Sequence, residues 1–393
     1  MKVKISDLYD VGSSKRVFQS EWRDSGVPFY RAREIAKLAS DGHVDNELFI
    51  DEELYNEYSV KYGKPQPGDV MITGVGTLGV CYVVKPNDRF YFKDGNILWF
   101  KQKAPDRILP EYLVKAFLSK DAKDFIAKNS SGTTVGTFTI QTANKMEISL
   151  PPMSEQKAIV TKLALAESII KRREEQLQRL EDLIKARFVE MFGDVSTGNY
   201  KYETRKLGEV AEVGSSHRVF TSEFVDKGIP FYRGTEIGEL ANGHQPADPY
   251  FISEEHYNRL ANDGTKPKVG DLLMPSICNK GQVWMVDTEA PFYYKDGRVL
   301  CISADRNIYD PKYLQYFMKT KTEVEYPKMG SGSTFAEFKI FLLKDFDVLT
   351  PPKVIQEQFS AFVKQVDKSK SVIQNSLNET QLLLDNLMHK YFG

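Results

Sequence analysis

The sequence predicts an α+β protein: two similar α/β domains separated by two long antiparallel helices that form a coiled coil. Three observations carry this reading. The chain repeats itself at a period near 200 residues; each copy turns from a β-rich texture to a helical one at a Pro-Pro pair; and each helical stretch is apolar at every third or fourth residue.

The repeat is read directly. Val11-Gly12-Ser13-Ser14-Lys15-Arg16-Val17-Phe18 returns as Val213-Gly214-Ser215-Ser216-His217-Arg218-Val219-Phe220, and Gly26-Val27-Pro28-Phe29-Tyr30-Arg31 returns as Gly228-Ile229-Pro230-Phe231-Tyr232-Arg233. Gly68-Asp69-Val70 then matches Gly270-Asp271-Leu272, Lys93-Asp94-Gly95 matches Lys295-Asp296-Gly297, and Pro151-Pro152 matches Pro351-Pro352. Solenoid units run about 20–50 residues, so this period is a whole domain copied.

Before each Pro-Pro pair, short apolar runs such as Asp69-Val70-Met71-Ile72 and Gly79-Val80-Cys81-Tyr82-Val83-Val84 are punctuated by Gly and Pro, as strands are. A single helix is expected from Glu111 to Lys128, because Pro110 suits the first helical position. After Pro152, Ser154 is a candidate N-cap with Glu155 in the first turn, and neither Gly nor Pro follows until Gly193. Apolar residues fall at Ile159, Leu163, Ala166, Ile170, Leu177, Leu180 and Ile184, with Arg173 in the seam. That spacing averages about 3.5 residues, the coiled-coil period. The second helix is weaker at its start and settles into Ile373, Leu377, Thr380, Leu384, Leu387 and Tyr391. The expected boundaries are 1–153 and 195–353 for the two domains, 154–194 for the central helix and 354–393 for its C-terminal partner.

Composition is that of a globular chain, 41% hydrophobic and 27% charged over 393 residues. The net charge of −1 gives no basic excess, so any anionic partner must be met by local clusters. Cys81, Cys278 and Cys301 make no C-x-x-C pair and read as free thiols of a reducing compartment. The opening residues carry no basic-then-apolar leader, and no apolar run approaches the roughly 18 residues that span a bilayer, so a cytoplasmic protein is expected.

The order domain, Leu150-Pro151-Pro152-Met153-Ser154-Glu155-Gln156, long helix, domain, Thr350-Pro351-Pro352-Lys353-Val354-Ile355-Gln356-Glu357-Gln358, long helix resembles the specificity subunits of Type I restriction–modification systems. The stretch Ala186-Arg187-Phe188-Val189-Glu190-Met191-Phe192-Gly193-Asp194 looks like that family too. The resemblance covers essentially the full chain. It implies a non-catalytic, DNA-binding subunit whose globular halves are target recognition domains, each reading one part of a bipartite site in double-stranded DNA. It also implies partners: two methyltransferase (modification) subunits docked on the helices and a motor–nuclease (restriction) subunit. S-adenosylmethionine, ATP and Mg are then needed by those partners, and none by this chain. Some 35 helical residues make a rod of roughly 50 Å, longer than the about 34 Å of one B-DNA turn.

The chemistry absent from the chain agrees with that division of labour. Adenine methyl transfer needs an (Asn/Asp)-Pro-Pro-(Tyr/Phe) loop, whereas these Pro-Pro pairs follow Leu150 and Thr350 and precede Met153 and Lys353. No G-x-x-x-x-G-K-[ST] phosphate loop occurs. Pro105-Asp106 and Asp121-Ala122-Lys123 can be forced into a nuclease-like set, but the second repeat has no counterpart.

The duplication also sorts candidate DNA contacts. Residues shared by both halves should serve the fold and the phosphate grip, and equivalent residues that differ should carry sequence choice. The shared cations Arg16 and Arg218, Arg31 and Arg233, and Lys93 and Lys295 are candidate phosphate contacts, or members of internal ion pairs. Hydroxyls at Ser131, Thr133, Thr134, Ser333 and Thr334 join them. The candidate base readers lie where the halves diverge. Thr73-Gly74-Val75-Gly76-Thr77-Leu78 faces Pro275-Ser276-Ile277-Cys278-Asn279-Lys280, placing Asn279 and Lys280 in the second half. Arg33 faces Thr235, and such an arginine can hold a guanine through two hydrogen bonds. Neutral drift in exposed loops would look the same at any single position. Two other functions stay open on the sequence: an enzyme with an unrecognised site, and a coiled-coil scaffold with two protein-interaction domains that does not bind DNA.

Overall fold

The structure, a computed structural model, describes residues 2–45, 47–130, 136–263, 265–329 and 336–393. They form two compact units: Met1–Glu174 with Gln374–Gly393, and Glu175–Ile373.

In the first unit a four-stranded antiparallel sheet runs in the order Tyr9–Gly12, Ile97–Gln102, Val70–Thr73, Cys81–Val83. Its middle strands are apolar without alternation because both faces are covered. Val70, Ile72, Leu98 and Phe100 point into the core that holds the long helices, whereas Met71, Ile97 and Trp99 point into a second core on the other side. A smaller sheet sets Val27–Tyr30 antiparallel to Phe49–Ile50 and parallel to Tyr91–Phe92. Lys2–Lys4 pairs with Glu147–Ser149.

The second unit repeats this plan. Its main sheet runs Ala211–Gly214, Val299–Ala304, Leu272–Pro275, Trp284–Met285. Leu272, Met274, Leu300 and Ile302 face the helix-bearing core, and Leu273 and Val299 face the other. Ile229–Tyr232 lies between Tyr250–Ile252 and Tyr293–Tyr294, and Thr204–Lys206 pairs with Asp347–Leu349.

Two predicted helix boundaries are corrected. The expected single helix from Glu111 to Lys128 is two, Pro110–Leu118 and Lys120–Asn129. Ser119 breaks it: its backbone is extended, and its hydroxyl accepts from Ala122 N to cap the second piece. The counterpart Pro311–Glu325 runs unbroken. Ser154 is not an N-cap either, since the central helix spans Met153–Phe192 and the C-terminal helix Lys353–Phe392. The carbonyls of Pro152 and Pro352 take the first amide hydrogen bonds.

Each 40-residue helix passes from one unit into the other. In the first unit Ile159 and Leu163 share a core with Leu384, Leu387, Met388 and Tyr391. In the second, Ile184, Phe188 and Phe192 share one with Phe359, Val363 and Val366. The beginning of one helix therefore packs on the end of the other, the antiparallel arrangement predicted. The predicted seam is the covered face: Ile159, Leu163, Ala166 and Ile184 are buried, and Ile170, Arg173, Leu177 and Leu180 are half-buried. The start of the second seam is filled by Phe359, Val363 and Val366, which the sequence reading left out. Lys370 follows them and pairs with Glu181.

The Pro-Pro motif holds the helices in place. Gln156, fully buried, accepts from Leu109 N at 2.9 Å and donates to the carbonyls of Arg107 and Pro151 at 2.8 and 2.9 Å. Gln356 repeats the set, accepting from Asp310 N and donating to Ile308 O and Pro351 O. One amide side chain in each unit thus ties the start of a long helix to the loop that opens the helix beginning at Pro110 or Pro311. At the other end of the central helix Gly193 turns the chain with φ +97°, where a Cβ would lie 2.1 Å from Asn199 O.

All three thiols are free. Burial pushes Cys278 up to about 11 and Cys301 up to about 12, so neither is a thiolate near neutral pH. Among the described residues no helix is long and apolar enough to cross a membrane.

Candidate nucleic-acid interface

Much of the shared sequence is scaffold for one turn. Ser14 Oγ donates to Phe92 O, and Ser13 Oγ, which donates to Ile97 O, accepts from Gly95 N. Ser216 and Ser215 make the same bonds to Tyr294, Val299 and Gly297. The Gly-Ser-Ser runs therefore pin the turns that carry Lys93 and Lys295. Asp69 has a comparable structural task, accepting from Trp99 Nε1 and from the amides of Gln66 and Gln102.

Arg16 and Arg218 reach across these turns to Asp94 and Asp296, at 3.0 and 3.1 Å, with 66% and 68% of their side chains in solvent. A partner on one side and open water on the other suit a cation that can also meet a phosphate. Lys295 Nζ lies 3.2 Å from Asp296 Oδ1 and donates to Val219 O.

Arg31 and Arg233 are differently placed. Each precedes a helix, Ala32–Asp41 or Gly234–Ala241, and forks onto the glutamate three residues on. Arg31 Nη2 lies 2.7 Å from Glu34 Oε1, and the same carboxylate accepts from Arg31 N. Glu34 keeps only 4% of its side chain exposed. Burial alone would raise its carboxyl, but the hydrogen bonds from Arg31 and Arg33 outweigh that and hold it below the ordinary value. Glu236 is held down in the same way by Arg233, whose guanidinium also lies 4.5 Å from the Tyr250 ring centre. The internal ion pair left open by the sequence is thus present at both positions. Arg31→Ala is expected to cost the first unit about 1–3 kcal/mol by leaving a buried carboxylate short of donors. Thermal unfolding of the variant would check this, and an unchanged melting temperature would remove the structural role.

The second unit brings several candidates to one cleft of about 780 Å³, lined by Arg233, Thr235, Ser276, Lys295, Arg298 and Glu337 among others. Its floor is fixed by backbone bonds from Ser276 N to Arg298 O and from Phe338 N to Ser276 O. The first unit has the same floor, with Gly74 N donating to Asn96 O and Phe138 N to Gly74 O. Arg33 stands there in place of Thr235, exposed and paired to Glu34 and Glu47.

Asn279 and Lys280 are exposed on the turn after Cys278, where Lys280 N donates to Gln282 Oε1. In the first unit the equivalent turn closes on Thr73, whose hydroxyl bonds Thr77 O and Val80 N. Part of that divergence is therefore structural. Ser131, Thr133, Thr134, Ser333 and Thr334 lie outside the described residues. The sequence reading missed Arg298 and Glu337, which are paired across the cleft, although their difference from Asn96 and Thr137 could be read from the repeat.

Comparison with known proteins agrees with this duplicated plan. The S subunit of a Type I restriction–modification system from M. genitalium aligns with a TM-score of 0.58 at 14% identity, covering 100% of this chain and 96% of that one. A chain from a structure of complex assembly and conformational transition in the type I R-M system aligns with a TM-score of 0.60 at 18% identity, covering 100% and 97%. At these identities the likeness is one of fold. A Haemophilus influenzae protein assigned as a type I restriction enzyme specificity subunit is 34% identical over 170 residues, 42% of this chain and 40% of that protein. That alignment spans about two-fifths of the relative's length. The family model of the Type I restriction modification DNA specificity domain matches twice, over residues 1–181 and 199–381, and the chain belongs to that family.

Proposed function

We propose that this chain is the sequence-reading subunit of a Type I system: it recognises a bipartite site in double-stranded DNA, one part per unit, and directs partner methyltransferase and restriction subunits to it. The observation that carries this is a backbone frame present in both units. The same backbone bonds link Gly74 to Asn96 and Phe138 in one unit and Ser276 to Arg298 and Phe338 in the other, and the positions around them carry different side chains, Arg33 and Asn96 against Thr235 and Arg298. A scaffold that copies its frame and varies its rim is suited to reading two unlike targets. Arg16, Arg218, Lys93 and Lys295 on the shared frame act as phosphate contacts, and Arg33, Thr235, Asn279 and Lys280 act at base edges. The long helices set the spacing of the two readings and dock the methyltransferase partners. S-adenosylmethionine, ATP and Mg bind to the partners, and this chain supplies no catalytic group.

Mapping methylated adenines in DNA from cells that express the chain with its methyltransferase partner tests the proposal. The expected result is two defined half-sites at one fixed spacing. Adding one heptad to both long helices is expected to lengthen that spacing by about 3 base pairs, since seven residues add about 10 Å. Methyl transfer by the chain alone would favour an enzyme instead. Methylation without any sequence preference would favour a protein scaffold.

A further inference from the structure

The cleft of the second unit holds an arginine that has no equivalent in the first unit. Arg298 ends the turn just before the strand Val299–Ala304, and 58% of its side chain is in solvent. One of its terminal nitrogens is held by Glu337, which comes from the neighbouring segment just before Phe338. In the first unit these two places are Asn96 and Thr137, so the pair is absent as a pair. The first unit has the reverse arrangement at the position equivalent to Thr235. There Arg33 is held by Glu34 and Glu47, where the second unit has Thr235 and, in place of Glu47, Pro249. Each unit therefore has, among these equivalent positions, one arginine not shared with the other, and each of the two is paired with a carboxylate.

We propose that Arg298, oriented by Glu337, reads a guanine for the second unit. This rests on the DNA-reading function proposed above. A guanidinium has five N–H donors in a planar fork, and Glu337 engages one terminal nitrogen, so Nε and the other terminal nitrogen remain for a pair of acceptors. In the major groove the side-by-side acceptors O6 and N7 belong to guanine. The carboxylate limits the rotamers of a long side chain before DNA arrives, which lowers the ordering cost of the contact. Lys295 and Arg233 line the same cleft, each beside its own carboxylate, Asp296 and Glu236. Asn96, at the corresponding place in the first unit, has the donor and acceptor that suit adenine, whereas Nε and one terminal nitrogen of Arg33 are already held by Glu34 and Glu47.

The test uses the full chain with its methyltransferase partner on a library of randomised duplexes. Arg298→Ala is expected to lower discrimination for guanine about ten- to hundredfold at one position of the half-site read by the second unit, with the other half-site unchanged. Arg298→Gln keeps a polar side chain able to fold in place and is expected to shift that position from guanine toward adenine. Glu337→Gln is expected to weaken the same position less than Arg298→Ala does. An unaltered consensus for Arg298→Gln, with methylation retained, overturns the assignment and leaves the function standing. A wild-type chain that gives no sequence-dependent methylation overturns the function itself.

Discussion

Replacing Phe188 with alanine is expected to cost the second unit about 3–5 kcal/mol, the range for emptying a large aromatic site in a packed core. Phe188 is 2% exposed, with its ring centre 4.9 Å from Phe192, 5.0 Å from Tyr316 and 5.4 Å from Phe359, and stacked on Tyr313 at 6.1 Å. Those neighbours come from the central helix, the helix Pro311–Glu325 and the C-terminal helix. Three rigid elements meeting at one ring cannot all close on the space left behind, so the void persists and its lining loses contacts. Hydrogen exchange resolves the effect by region. Amides of 311–325 and 353–373 should lose protection, and those of 2–130 should keep theirs. Uniform protection in the variant would show that the cluster is not where the second unit's stability resides.

Gln356→Leu is the second large effect. The side chain is fully buried and satisfies one amide and two carbonyls at 2.8–2.9 Å. Leucine fills the volume and leaves those three backbone groups without partners. Unmet buried groups cost about 1–3 kcal/mol each, and partial relaxation should bring the total to about 3–5 kcal/mol. Gln356→Glu sharpens the test. Its carboxyl faces two carbonyl oxygens, so only the protonated form can donate, and burial and hydrogen bonding raise its pKa above the unfolded value. Stability is then present below the unfolded pKa and lost as pH rises through the folded one. Melting temperatures from pH 4 to 8 should fall with pH more steeply than in the wild type. A parallel pair of curves would mean that Gln356 is not the tie its geometry describes.

How far the sequence could be read depended on whether a signal was periodic or positional. The duplication, the Pro-Pro boundaries and the seam at Ile159, Leu163, Ala166 and Ile184 are periodic, and they are legible because burial repeats with the backbone. The seam at Phe359, Val363 and Val366 was harder to see because Lys370 interrupts its apolar run before Ile373. The break at Ser119 depends on one hydroxyl choosing to cap instead of continuing a helix, which composition does not reveal. Gln156 stood in the recognised motif, yet its role rests on three backbone groups from Arg107, Leu109 and Pro151, up to 49 residues away. The site divides in the same way. The divergence of Arg33 from Thr235 was visible in the repeat, whereas the commitment of Arg31 to Glu34 needs the helix that follows it. Arg298 and Glu337 escaped notice because they lie 39 residues apart and matter only once the floor at Ser276 brings them together.

The antiparallel exchange of helices has a consequence for biosynthesis. Tyr112 meets Phe392 at 5.2 Å, and the core around Leu113 and Ile159 is closed by Leu384, Leu387 and Tyr391. Whatever leaves the ribosome first must therefore wait, with an apolar surface uncovered, until nearly three hundred further residues have been made. The N-terminal half is begun early and finished late, so premature termination near residue 380 would injure the end of the protein that was translated correctly.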